Sequence, residues 1–293
     1  MRLPCGGRPG SRMKLSDLLD LCRREMATAG VVGSADAEIL VAALARIPRS
    51  RLFLERDREV GDLTEALRSR VARRAAGEPI QYILGAWDFF GREFLLTRDT
   101  LIPRPETEGL VERVLDSWRR GKPRGGRFLD VGTGSGAIAV TLAAELPAVK
   151  GIATDVSHGA LRIARENARR HGVDGRIRFL RADGTSALKC GDRFDVVVSN
   201  PPYVSEGEWR SLPPEVRDHE PPVALLGGAD GLAVLKDLVA GAGERLAPGG
   251  ELWCEIGETQ GEAAGRLPSG PLRFAGLFKD LAGRDRVACW RKA

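Results

Sequence analysis

Beyond Arg127 the chain alternates short β-branched runs with helical stretches, and that alternation leaves few architectures open. Residues 128–131, 152–154, 177–180, 196–199, 251–256 and 286–290 read as strands, and 137–146, 160–170 and 232–246 as helices between them. Strands joined through helices run parallel by crossovers, which place helices on both faces of one sheet. The expected fold is a doubly wound, mostly parallel α/β sheet of Rossmann-like type.

The fourth of these strands, Phe-Asp-Val-Val-Val-Ser over 194–199, ends abruptly at Asn200-Pro201-Pro202-Tyr203. Two prolines lack N–H groups and hold φ near −65°, so the chain leaving the strand is stiff and its carbonyls enter neither helix nor ladder. A plain strand and tight turn explains this much. It also leaves an Asn side-chain oxygen and a proline carbonyl rigidly side by side, suited to accept the two N–H bonds of a planar NH2 group, with Tyr203 able to cover its flat face.

Two earlier strand ends carry the other polar groups. Gly132-Thr133-Gly134-Ser135-Gly136 follows the strand-end acid Asp130 and opens a helix, where glycines let a ligand approach backbone N–H groups. Gly132, Gly134 and Ala137 also satisfy the dinucleotide pattern, so a dehydrogenase stays open on this loop alone. Asp155 ends the second strand, where a carboxylate bonds ribose hydroxyls in either kind of enzyme. Asp183 and Gly184 follow the third strand, within reach of an adenine amino group. The Asn-Pro-Pro-Tyr segment separates the rivals: hydride transfer has no use for a rigid double acceptor of NH2, and methyl transfer to nitrogen does.

Ahead of the sheet, residues 14–77 read as a small helical bundle in capped pieces. Ser16 and Ser34 open two helices, and Asp62 with Glu65 resembles a capping box for a third. Arg68, Arg70, Arg73 and Arg74 read as a solvated helix face. Residues 78–105, rich in aromatic and β-branched side chains, read as a β-hairpin linker, and 106–293 as the sheet domain. Residues 1–13 read as a disordered lead-in.

Composition removes several classes. The chain has 293 residues, 43% of them hydrophobic, and a net charge of +5 with acids and bases interleaved, so no dedicated nucleic-acid surface is expected. Five scattered cysteines and three histidines suggest neither a disulfide framework nor a metal site, and point to a reducing, cytoplasmic home. No apolar run approaches the roughly 18 residues needed to cross a bilayer.

Residues 132–136, Asp155 and 200–203 together resemble the class I methyltransferases that use S-adenosylmethionine and act on amide or exocyclic nitrogen. The resemblance narrows outside those motifs: Gly-Glu-Pro-Ile-Gln-Tyr-Ile-Leu-Gly at 77–85, Asp-Phe-Phe-Gly at 88–91, Leu-Ile-Pro-Arg-Pro-Glu-Thr-Glu at 101–108, Glu220-Pro221 with Ala224-Leu225, 227–232, and Gly-Arg-Asp-Arg at 283–286. From about Leu15 to the C-terminus the chain is similar to the peptide chain release factor glutamine methyltransferases, which modify the glutamine of a Gly-Gly-Gln motif.

That resemblance implies a seven-stranded sheet, a helical domain that grips the protein substrate, and a class 1 release factor as partner. It implies S-adenosylmethionine held by Gly132, Thr133, Gly134, Ser135, Gly136, Asp155, Asp183, Gly184 and Asn200, with S-adenosylhomocysteine as product. Asn200, Pro201, Pro202 and Tyr203 would carry the chemistry. Glu255, Gly257 and Gln260, just after a late strand, are candidates for shaping the site, although strand termination explains them equally well. Two positions depart from the pattern. His219 precedes Glu220-Pro221 where a tyrosine is expected, and Gly184 stands where related enzymes carry a larger side chain, leaving its role to the backbone. The same four residues at 200–203 could hold an adenine amine of DNA or RNA, or a ribosomal-protein glutamine. A nucleoside-binding protein without catalysis is the reading from a different class.

Overall fold

The computed structural model describes residues 13–31, 33–121 and 125–293. The chain divides into two compact units at Leu84/Gly85.

The first unit contains helices α1 (Leu15–Thr28), α2 (Ser34–Ala45), α3 (Thr64–Ala75) and α4 (Ile80–Leu84). Leu15, Leu18, Leu19, Cys22 and Met26 recur at helical spacing and are buried, and α1 packs on α2 and α3. Several local expectations are corrected here. Met13 is not lead-in: with Lys14 it forms a two-residue strand, β1, paired antiparallel with β2 (Glu59–Val60). The rest of the expected lead-in, residues 1–12, lies outside the described residues. Asp62 accepts from Thr64 N at 3.0 Å two residues on, an Asx turn in place of the expected capping box. Residues 80–84 are helical, although their composition suits a strand; Tyr82 N and Ile83 N both donate to the Pro79 carbonyl, and Ile80 and Ile83 are buried at helical spacing. The arginines are not merely solvated. Arg73 forks onto buried Glu78 at 2.7 and 2.8 Å, Arg74 reaches Asp36 at 2.8 Å, and Arg68 reaches Glu25 at 2.9 Å.

The second unit begins with the hairpin β3 (Ala86–Phe89) and β4 (Arg92–Leu95), followed by α5 (Pro105–Gly121). Alternation then sets in: β5 (Arg127–Val131), α6 (Ala137–Glu145), β6 (Lys150–Asp155), α7 (His158–Arg170), β7 (Ile177–Arg181) and β8 (Phe194–Ser199). Short helices α8 (Glu206–Trp209) and α9 (Pro214–Arg217) precede α10 (Ala233–Arg245), β9 (Leu246–Glu255), α11 (Gly261–Gly265), β10 (Leu272–Lys279) and β11 (Asp285–Lys292). The described residues form a seven-stranded sheet in the order β10-β11-β9-β8-β5-β6-β7. Pairing is parallel from β9 across to β7, and β11 runs antiparallel to both its neighbours.

Both faces of the sheet are apolar, which is why its strands read as nearly continuous hydrophobic runs. Phe128, Val196, Val198, Trp253 and Cys289 face one core with Leu110, Val114 and Trp118 of α5 and the whole apolar side of α6. The alternate residues Leu129, Val131, Val197, Leu252, Cys254 and Trp290 face the other with Leu235, Leu238 and Val239 of α10. β10 is the strand that sequence patterning did not single out. It lies at the sheet edge with residues 273–275 exposed, and a register shift between Phe274 and Gly276 breaks the alternation.

Gly151 lies opposite Phe128 in the β5/β6 register, and the fully buried Phe128 ring occupies the space a Cβ at residue 151 would take. Gly151→Ala is therefore expected to destabilise this unit by about 1–3 kcal/mol through overpacking, read as a lowered urea midpoint in tryptophan fluorescence; an unchanged midpoint would show that the ring moves aside freely.

Candidate active site

β5 and β8 are hydrogen-bonded neighbours at the point where the chain order reverses, with β6 and β7 on one side and β9 on the other. Loops leaving their carboxyl ends diverge, and ligands of open α/β sheets bind in the crevice between them. A cavity of about 590 Å³ lies there, lined by Gly132, Thr133, Gly134, Ser135, Asp155, Asp183, Gly184, Asn200, Pro201 and Pro202 among others. Its size is that of a small-molecule site. The residues predicted from four separate strand ends are thus brought to one cavity by the parallel register of β5, β6, β7 and β8.

Two predicted residues stand apart from the lining. Gly136 caps α6 at φ 83° instead, and a Cβ there would meet the Ala164 Cβ at 3.1 Å, so it lets α6 approach α7. Tyr203 turns away from the cavity lining toward β9, donating its hydroxyl to Glu255 Oε1 at 3.3 Å.

The glycine loop is tied down by carboxylates. Asp155 Oδ2 accepts from Gly134 N at 2.9 Å and Oδ1 from Ser157 N at 2.8 Å, joining the loop to the start of α7, while burial raises the Asp155 pKa. Asp130 Oδ2 accepts from Thr133 Oγ1 at 2.7 Å and Ala139 N at 3.2 Å. Asp130 Oδ1 is buried without a hydrogen-bond partner among the described residues. Burial pushes the Asp130 pKa up from 3.8 to about 7 against those two hydrogen bonds.

Around Asn200 the geometry is specific. Its Nδ2 donates to Thr107 Oγ1 at 3.1 Å, and neither Oδ1 nor the Pro201 carbonyl accepts a hydrogen bond from any described residue. The segment that follows is held by backbone. Gln260 Nε2 donates to the Tyr203 carbonyl at 3.0 Å and the Gly231 carbonyl at 3.2 Å, and Gln260 Oε1 accepts from Gly257 N at 2.9 Å. At residue 227 a Cβ would come within 2.6 Å of the Pro202 and Gly231 carbonyls, so only glycine lets these strands of backbone touch. The 227–232 and 255–260 motifs therefore work by fixing residues 202 and 203 in place.

A further wall comes from the 101–108 segment. Buried Glu220 accepts from Ile102 N at 3.2 Å and forms a short ion pair with Arg104, setting Leu101 and Pro103 beside Val223 and Ala224 on the cavity. The preceding His219 leaves its Nδ1 buried without a partner among the described residues, yet Glu220 keeps its bonds. Gly184 sits at φ 54°, with its carbonyl accepting from Thr154 Oγ1 at 3.1 Å.

Sequence reasoning passed over Asn167 and Thr107. Asn167 Oδ1 accepts from Leu95 N at 2.8 Å, and its Nδ2 donates to the Leu95 carbonyl at 3.1 Å and the Ser135 carbonyl at 2.8 Å, tying the hairpin to the glycine loop. The signal was present: Asn167 is a buried polar residue on the apolar stripe of Ala160, Ala164 and Ala168. Thr107 lay inside a recognised motif, but nothing local marks a threonine in a first helical turn as facing a residue 93 positions away.

Two family models match the chain, a methyltransferase small domain over residues 108–212 and a PrmC N-terminal domain over residues 17–85. A solved methyltransferase from Pyrococcus furiosus shares the fold, with a TM-score of 0.52 at 20% identity over 77% of this chain and 98% of that one. The helix-flanked, mostly parallel sheet with its antiparallel β11 is the class I methyltransferase fold. The chain is 44% identical to the release factor glutamine methyltransferase of Nitratidesulfovibrio vulgaris over 96% of both chains. It is 42% identical to that of Cereibacter sphaeroides over 95% of this chain and 99% of the relative. It belongs to the release factor glutamine methyltransferase family.

The raised Asp130 pKa fixes a sign for pH dependence. A carboxyl whose folded pKa exceeds its unfolded value contributes stability that is fully present below about pH 4 and is lost as pH rises through about 7. Asp130→Asn should narrow the difference in unfolding free energy between about pH 5 and about pH 8, measured by urea titration at each; an undiminished difference would place the titration elsewhere.

Proposed function

We propose that this protein transfers the methyl group of S-adenosylmethionine to the side-chain nitrogen of the glutamine in the Gly-Gly-Gln motif of class 1 release factors. The observation that carries the reading is the pair of acceptors at the end of β8, Asn200 Oδ1 and the Pro201 carbonyl, both unengaged by described residues and both on the cavity. The relatives' names supply the substrate.

The residues present fit the cofactor. Asp155 keeps acceptor capacity beyond Gly134 and Ser157 for ribose hydroxyls, Asp183 and Gly184 lie on the cavity for the base, and the buried, unpartnered Asp130 Oδ1 lies beneath the glycine loop. When bound, S-adenosylmethionine supplies an electrophilic methyl carried by a sulfonium. Gly132, Thr133, Gly134 and Ser135 line the side on which it is held, and Gly136 sets the helix behind them.

An amide nitrogen is a weak nucleophile because its lone pair is delocalised into the carbonyl. Accepting one N–H each, Asn200 Oδ1 and the Pro201 carbonyl hold the NH2 plane and favour positive charge as it develops on nitrogen. Held by these two acceptors, the glutamine nitrogen would take the methyl with the cofactor's thioether as leaving group, and would then release one proton to solvent. Pro202 fixes the turn. Tyr203, turned away from the cavity and held against Glu255, braces the segment from behind and does not act as a base; burial first, with the neighbouring Glu255 charge, raises its pKa well above the ordinary tyrosine value. The N-terminal unit is assigned the grip on the protein substrate. Among the described residues no helix is long and apolar enough to cross a membrane, and we place the reaction in the cytoplasm with its translation-factor substrate.

The decisive assay follows labelled methyl from S-adenosylmethionine into a purified class 1 release factor, beside its Gly-Gly-Gln to Gly-Gly-Ala variant and a DNA duplex. Label is expected on the unaltered factor alone; label on DNA would replace this reading with adenine methylation, and label on neither would refute it. At saturating cofactor, Asn200→Ala is expected to lower turnover by about 10²–10³, the range for losing one transition-state hydrogen-bond partner; normal turnover would exclude the double-acceptor role.

A further inference from the structure

Asn200 can serve as an acceptor only if its amide is turned the right way, since the oxygen and NH2 of an asparagine occupy nearly the same space. Within the site, one chain of hydrogen bonds decides that direction. Asn200 Nδ2 donates to Thr107 Oγ1 at 3.1 Å, and Thr107 Oγ1 in turn donates to Glu255 Oε2 at 2.6 Å. Glu255 Oε1 accepts from the Tyr203 hydroxyl at 3.3 Å. Thr107 and Glu255 are both buried, at 4% and 1% exposure, with Thr107 at the cavity wall, so each has few partners to choose from besides the other.

A threonine hydroxyl has one proton and two lone pairs, and by itself would accept from an amide NH2 or donate to an amide oxygen. An ionised carboxylate only accepts, so the threonine hydroxyl donates to it and keeps only lone pairs to offer the amide. We propose that Thr107 and Glu255 are positioning residues that set the polarity of the Asn200 amide, turning Nδ2 inward and Oδ1 toward the substrate NH2. The proposal rests on the methyl-transfer reading above and adds to it the device that makes Asn200 an acceptor.

The device depends on the charge of Glu255. Burial pushes its pKa from 4.5 to about 7, against the Thr107 hydrogen bond and the charge of Arg286 from β11. Glu106 on α5 pushes the same way as burial, and Tyr203 donates from the loop after β8. Once protonated, Glu255 has a hydrogen of its own to donate to Thr107. The Thr107 proton is then free to point at residue 200, and the favoured amide is the reversed one. A reversed Asn200 presents NH2 to NH2. Turnover at saturating substrates should therefore carry an acidic limb near pH 7 belonging to Glu255.

The test combines kinetics with a readout that needs no turnover. Thr107→Val, which removes the hydroxyl at similar volume, should lower kcat by about tenfold to a hundredfold with cofactor affinity and KM nearly unchanged, and Thr107→Ser should recover most of the loss. Glu255→Gln should remove the acidic limb of the kcat profile. In parallel, the 15N side-chain amide resonances of Asn200, identified by their loss in Asn200→Asp, should shift with pH near 7 in the unaltered protein and lose that response in Thr107→Val and Glu255→Gln. A kcat for Thr107→Val equal to that of the unaltered protein, a loss confined to KM, or an amide titration that survives Glu255→Gln would overturn the proposal. If the unaltered protein transfers no methyl to glutamine, the substrate reading fails by itself, and the amide resonances still decide the orientation.

Discussion

The parallel pairing of β5 with β8 is the constraint on which the rest of the second unit depends. Phe128 to Val131 lie beside Val196 to Ser199 in register, and Ser199 Oγ donates to the Val131 carbonyl at 2.7 Å where the two strands end. Because successive connections leave this pair in opposite directions, the glycine loop and the Asn-Pro-Pro-Tyr segment open away from each other instead of covering the sheet edge. The cavity is the space left by that divergence. Its walls are held from outside by buried polar bonds, Asn167 to the glycine loop and Glu220 to the 101–104 segment.

Buried carboxylates recur around this space, and they differ in function by what surrounds them. Glu220 is matched by Arg104 and a backbone N–H, a closed set of partners suited to holding a wall. Asp155 is shared between two backbone N–H groups and the open cavity. Glu255 has hydroxyls for hydrogen-bond partners, and burial pushes its pKa up to about 7 against them and against the charge of Arg286. A carboxylate with hydroxyl partners can alter the direction of a hydrogen-bond chain, whereas one locked to a guanidinium cannot. That difference separates the walls of this site from the part able to respond to pH.

Much of this was legible in the amino acids. Alternating strands and helices specify a doubly wound sheet because crossovers have one workable hand and two faces to cover. Glycines after β5, an acid after β6 and the stiff Asn-Pro-Pro-Tyr after β8 stand out locally, since close backbone approach, a strand-end carboxylate and a rigid turn each demand particular residue types, and all three contribute to the cavity lining. Short elements read less well. Residues 80–84 look like a strand and fold as a helix, because burial of Ile80 and Ile83 against the bundle outweighs β-branched preference. The edge strand β10 stays hidden because one exposed side and a register shift erase the period of two.

What the chain determined by itself is therefore the fold class and the inventory of site groups, because periodicity, turn chemistry and proline stiffness act over a few residues. What only the tertiary structure decided is which of those groups meet and which way they point. Gly136 was placed against Ala164 and Tyr203 against Glu255, by helix packing and by the neighbouring strand β9. The direction of the Asn200 amide is set by Thr107, 93 residues earlier, and by Glu255 beyond it. A hydrogen bond has a direction that depends on both partners, and partners so far apart in sequence are known only once the chain has folded.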